Sequence, residues 1–215
     1  RNSDLNNSCH EKLTKRFYEY YLGDATNPRI NREFQAYWLQ CETEWLRSIR
    51  QHAGILAFTH LTNNYGYTGD WYINKIKDLE AGPTLSWFKH AFAPSAVFIN
   101  LPDERYMKQF TPHEPGAQLL FTLKAINDFK EKETGQVIIS LFNSEGKAVW
   151  KQVQKISIDA DGEKNYPVVL QLPAESGGYT LSTEFEGKLN PVKKQVSRRF
   201  IKVGIQTNHY FEIVP

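Results

Sequence analysis

The spacing of apolar positions changes once along this chain, and the change divides it. Before about residue 93, apolar residues recur at helical spacing; beyond it, they alternate. Ser8 and Glu11 form a capping-box pattern, and Leu13, Phe17 and Tyr20 or Tyr21 follow at helical intervals until Gly23 ends the run. Asn27 and Pro28 open a stronger helix whose Ile30, Phe34, Trp38, Cys41, Trp45 and Ile49 share one face, with Gly54 as its stop. The continuous apolar run Ile55 to Phe58 then predicts a strand buried on both faces, as strands of parallel sheets are. His60 to Trp71 is loop chemistry loaded with aromatic residues. A short helix over Thr84 to Phe92 follows, begun by Gly82-Pro83 and stopped before Pro94.

From Ala96 the period is two. Leu119, Phe121 and Leu123 alternate with more polar neighbours, as do Val137, Ile139 and Leu141. The turn Asn143 to Gly146 leads to Ala148, Trp150 and Val153, and Asp159 to Gly162 leads to Val168, Leu170 and Leu172. Gly177-Gly178 precedes Tyr179, Leu181, Thr183 and Phe185, and Val196 to Val203 is the last clear strand. About seven strands at such turn spacings predict an antiparallel immunoglobulin-like β-sandwich. Residues 204–215 are either one more strand or an extension.

Composition narrows the function. A 40% hydrophobic share in 215 residues supports folded domains, while a complete (β/α)8 barrel of roughly 250 residues does not fit. The net charge of +2, from 26 basic and 24 acidic residues, gives no reason to expect a nucleic-acid partner. The clearest basic cluster, Lys193, Lys194, Arg198 and Arg199, is expected to be a solvated face. No run approaches the roughly 18 apolar residues of a membrane span, so no membrane partner is expected. Cys9 and Cys41 have no Cys-x-x-Cys spacing, and neither a metal nor another cofactor is expected. Beginning at Arg1 without a start Met, the chain is expected to lie within a longer precursor.

The stretch Gly54-Ile55-Leu56-Ala57-Phe58, the Asn63-Asn64 turn, Trp71, the aromatic helix around Trp87 and Phe88, and Ala93-Pro94 leading into a strand together resemble a junction in family 2 glycoside hydrolases of the β-mannosidase type. There the eighth strand of the catalytic barrel gives way to a sandwich domain. Ala125-Ile126-Asn127-Asp128 resembles a strand end of the same family, and the likeness covers roughly Ile30 to Leu172. It implies an α+β chain: residues 1–93 are the helical and α/β remnant of a (β/α)8 barrel, 94–203 the sandwich and 204–215 an extension. It also implies a secreted or periplasmic parent acting on β-glycosides with retention. The two catalytic glutamates of that parent would precede Arg1, leaving none here and an inactive fragment prone to self-association.

The same resemblance directs attention to the loop after the eighth strand. Asn63 and Asn64 either hydrogen-bond sugar hydroxyls or simply make the turn. Trp71 either stacks on a pyranose or packs beneath the loop. Phe58 stands where the family usually has Trp, and His60 is a possible donor to a sugar hydroxyl or a structural group. Glu33, Glu42 and Glu44 on the long helix are expected to face solvent or cap ends, and Asp70 is the one acid of the loop. The alternative function is a non-catalytic carbohydrate-binding or interaction module, which would need a surface row of rings on the sandwich. Trp150, Tyr166 and Tyr179 are the candidates, although each sits in a strand pattern that favours the core.

Overall fold

The computed structural model describes residues 16, 19–21, 28–51, 55, 71, 80–102, 104 and 110–207. The chain divides into two compact units, Arg1–Lys89 with Val214–Pro215, and His90–Ile213.

The first unit is described chiefly through helix α1, Pro28–Ser48. Of the helix expected before it, Arg16 and Glu19 to Tyr21 are described, and they have helical backbone. Helix α1 starts at Pro28 as expected but ends before Gly54. Ser48 Oγ donates to Trp45 O (2.8 Å), and Arg50 takes a left-handed φ of 48°, so the chain turns off the helix at once. The buried face of α1 also corrects the sequence reading. Phe34, Ala36 and Tyr37 are buried with Glu33, Gln40, Glu44 and Ser48, whereas Trp38 and Trp45 are 39% and 58% exposed. Glu33 and Glu44 therefore do not face solvent, although Glu42 does. Gln40 Nε2 donates to Glu44 Oε1 (2.9 Å), so that carboxylate has a hydrogen-bond donor inside the unit. Helix α2, Pro83–Ala91, is the short aromatic helix foreseen after Gly82. Among the described residues, no helix is long and apolar enough to cross a membrane.

Among the described residues the second unit contains seven strands: β1 Ser95–Asn100, β2 Gln118–Asn127, β3 Glu133–Phe142, β4 Ala148–Ile158, β5 Glu163–Gln171, β6 Gly177–Gly187 and β7 Gln195–Val203. They form two antiparallel sheets, ordered β1-β2-β5 and β4-β3-β6-β7. That is immunoglobulin-like connectivity, in which the chain crosses between sheets after β2, β4 and β5. The core is the set of alternate residues the period of two selects. Phe121, Leu123, Val137, Ile139, Leu141, Val168, Leu170, Leu181 and Phe185 all meet between the sheets. Strand β4 departs from expectation because Ile156 and Ile158 supply its core positions, while Val153 points out and is 56% exposed. Tyr179 opens β6, and its hydroxyl donates to Glu175 O (2.7 Å), the tyrosine corner of this fold class.

Edge strands need partners for the backbone groups that face away from the sheet. In β1 these groups belong to the odd-numbered residues, and side chains satisfy them. Gln195 Oε1 accepts from Val97 N (2.9 Å), and Ser197 Oγ accepts from Ile99 N (3.2 Å). Asn190 Nδ2 donates to Ser95 O (2.7 Å), Thr183 Oγ1 to Val97 O (3.4 Å) and Arg199 Nε to Leu101 O (3.0 Å). This seam explains why polar residues occupy the inward row of β7. It also corrects the solvated-face reading of the basic cluster: Arg198 and Arg199 are buried, and only Lys193 and Lys194 are exposed. Replacing Gln195→Leu strands the Val97 amide in the interior and is expected to cost about 1–3 kcal/mol. Denaturant unfolding checks this against Gln136→Leu, an exposed change expected to stay within about 0.5 kcal/mol.

Candidate functional site

Of the residues singled out for sugar binding, Phe58, His60, Asn63 and Asn64 lie outside the described residues, as does Asp70. Trp71 is described and is 3% exposed. Its ring meets Phe88 edge-on at 5.3 Å, and its carbonyl accepts from Gly82 N (2.7 Å), which ties the end of the loop to the start of α2. Trp87, also buried, lies edge-on to Tyr37 at 6.4 Å. The rings of α2 thus serve packing within their unit. On the sandwich, Tyr166 and Tyr179 are buried and Trp150 is packed against the core, so the three do not form a surface row.

The ionisable chemistry of the sandwich gathers at the outer edge of β7. Along this edge His113 pairs with Val203 in a parallel bridge. His113 N donates to Lys202 O (2.9 Å), and Gly204 N to His113 O (2.8 Å). Glu104, 1% exposed, spends both carboxylate oxygens here. One accepts from Lys202 N (2.9 Å) and the other from His113 Nε2 (2.7 Å). The Phe110 ring lies 5.6 Å from the imidazole, and Lys202 Nζ donates to Gln206 Oε1 (3.2 Å). At the other end of β7, His90 Nδ1 accepts from Val196 N (3.3 Å). The hydrogen bond to Glu104 raises the His113 pKa above the ordinary histidine value, against the burial that lowers it.

A second buried carboxylate, Glu133, braces the opposite side. It accepts from Ser95 Oγ (2.8 Å), Thr134 N (2.9 Å) and Leu189 N (3.2 Å). Gly187 leaves the space it needs, since a β-carbon there would lie 2.7 Å from Glu133 Oε2. Neither Glu104 nor Glu133 has the arrangement of a general acid or base, because both hold backbone amides in place. Among the described residues, no group of three or more His, Cys, Asp or Glu is placed to hold a metal. Sequence reasoning missed both braces. The available signal was a carboxylate within an otherwise closed pattern: Glu133 opens a strand, and Glu104 interrupts the Pro-rich connection between β1 and β2.

No family model matches the sequence, and no curated protein matches it. Several solved structures are similar in part. The CARDB domain of a Pyrococcus furiosus protein is 14% identical, with a TM-score of 0.39 over 52% of this chain and 89% of that one. A cycloisomaltooligosaccharide glucanotransferase of Paenibacillus sp. is 15% identical, with a TM-score of 0.35 over 52% of this chain and 13% of that one. The C-terminal domain of wzt is 16% identical, with a TM-score of 0.36 over 45% of this chain and 65% of that one. At these scores the likenesses carry no functional argument. The strand order, the alternating core and the tyrosine corner define the second unit as an immunoglobulin-like β-sandwich.

Because the His113 pKa is raised on folding, its pair with Glu104 stabilises the fold fully below about pH 6.5, the unfolded value. That contribution is lost as pH rises through the higher folded value. NMR titration of the wild type and Glu104→Gln checks this: the substitution is expected to lower the His113 pKa and flatten the pH dependence of the unfolding midpoint.

Proposed function

We propose that the chain is the C-terminal part of a retaining β-glycosidase of the family 2 kind. In this reading residues 1–93 contribute the last elements of a (β/α)8 barrel, residues 94–203 brace it as a sandwich, and residues 204–215 extend beyond. Asn63, Asn64, His60, Phe58 and Trp71 then belong to the mouth of the parent's active site. Carbohydrate is bound only where the rest of the barrel is present, and both catalytic glutamates lie outside this chain.

One observation carries the reading. Its two resemblance-bearing sandwich motifs, Ala93-Pro94 leading into β1 and Asn127-Asp128 ending β2, are fastened to each other: Asp128 N donates to Pro94 O (2.9 Å). Asn127 secures the corner, giving Nδ2 to Glu131 O (2.8 Å) and Asp159 O (3.0 Å) and taking Phe129 N on Oδ1 (3.0 Å). Such a corner gives these motifs a physical purpose, which is to fix where the chain enters the sandwich. The role of Glu104 and Glu133 as braces agrees with a sandwich that supports chemistry performed elsewhere.

A panel of aryl β-glycosides tests the proposal on this chain and on its full-length parent in parallel. Activity in the parent alone is the expected result. Activity in the chain by itself would overturn the placement of the catalytic glutamates, and silence in both would favour a binding module.

The reading also proposes self-association of the isolated chain. Tyr20, Trp38 and Trp45 expose large aromatic surfaces, and Trp38 and Trp45 lie two turns apart on one face of α1. Light scattering at micromolar concentration is expected to show a dimer or larger species that Trp38→Lys with Trp45→Lys disperses; a monomer would count against it.

A further inference from the structure

The two sheets have four edges, and the described residues treat them differently. That of β1 is sealed by the side chains of the seam, and that of β7 by Glu104, His90 and the His113 backbone. The outward groups of β5 belong to its odd-numbered residues, where Pro167 has no N–H to offer. Strand β4 is closed at one end only. The Tyr166 hydroxyl accepts from Ser157 N and donates to Ser157 O, both at 2.8 Å, which shows that the odd residues of β4 turn their backbone groups away from β3. Lys151, Val153 and Lys155 share that orientation and are exposed. No hydrogen bond to their outward groups is found among the described residues.

We infer that the free edge of β4 takes an acidic, extended peptide segment of a partner protein as an added strand. The charges select the occupant. Lys147, Lys151 and Lys155 are exposed and enter no ion pair among the described residues. Lysines on an edge commonly oppose unwanted pairing, and here the opposition is selective. Two copies of β4 pairing antiparallel about Val153 would set Lys151 of each opposite Lys155 of the other, a like-charge arrangement that destabilises such a ladder. A strand with carboxylates at those positions reverses the sign at both. Its alternate side chains would lie toward Trp150, Gln152 and Gln154, the half-buried inward row of β4. Backbone hydrogen bonds then supply affinity and the lysine row supplies selectivity.

The test uses the full chain and fluorescein-labelled peptides alternating threonine with glutamate or threonine with lysine, read by anisotropy. The acidic peptide is expected to bind and the basic one not. Val153→Pro removes an outward N–H without touching the β3 ladder, so it is expected to weaken binding at least about tenfold with little change in thermal midpoint. Lys151→Glu with Lys155→Glu is expected to reverse the preference between peptides. Hydrogen exchange on the wild-type chain gives a second readout, with the amides of Lys151, Val153 and Lys155 slowing when the acidic peptide is added. Failure of both peptides to bind would overturn the inference. So would acidic binding that neither slows these amides nor responds to Val153→Pro, because that is attraction without strand addition. Dimerisation abolished by Val153→Pro would instead make a second copy the occupant. None of these outcomes depends on the identity of the parent enzyme.

Discussion

The sandwich depends on the pairing of one strand's backbone with another strand's side chains. Strand β1 is buried on both faces apart from Asn100, so its outward amides and carbonyls have no water to turn to. A strand added by backbone pairing would extend the sheet and prevent the β-sandwich from closing on that side. Gln195, Ser197, Thr183, Asn190 and Arg199 close it instead, each placed by the period of two in β6 and β7 or by the turn between them. The inward row of β7 therefore grades from polar at Gln195 and Ser197 to apolar at Ile201 and Val203, following the change from seam to core.

This division explains which parts of the fold were legible in the sequence. Where the inward row meets another sheet, alternation named the core directly, as with Leu123, Ile139, Leu170 and Leu181. Where it meets a strand edge, the same geometry calls for amides, hydroxyls and a guanidinium, which in a sequence resemble surface residues. Arg199 was misread for that reason. Trp150 and Val153 illustrate a further limit: the bulge at Leu141/Phe142 and the edge position of β4 leave its outer half lightly covered, so hydrophobicity there does not report the inward face.

Helix α1 fails the pattern in another way. Its strongest apolar row contains Trp38 and Trp45, yet the face it buries includes Glu33, Gln40 and Glu44. A helix buries the face that its surroundings can satisfy, and the Gln40–Glu44 hydrogen bond is part of that satisfaction. The candidate sugar-binding loop was legible only through resemblance, because amide and aromatic side chains serve turns and packing as readily as they serve ligands. Trp71 shows the packing use. The corner at Asn127 was legible as a motif, but its hydrogen bonds to its own turn and to the turn at Asp159 depend on folding that a local pattern does not encode.

The seam joins residues 98 positions apart, linking β1 to β7. A chain emerging from the ribosome therefore carries β1 long before the groups that complete it exist. Until β7 is released, the sandwich holds an apolar strand with unmet amides at its margin, and its final closure is a long-range, late event. Loss of the C-terminal strand to a protease would undo the N-terminal one, which makes this domain a single quality-control unit: it matures whole or is cleared whole.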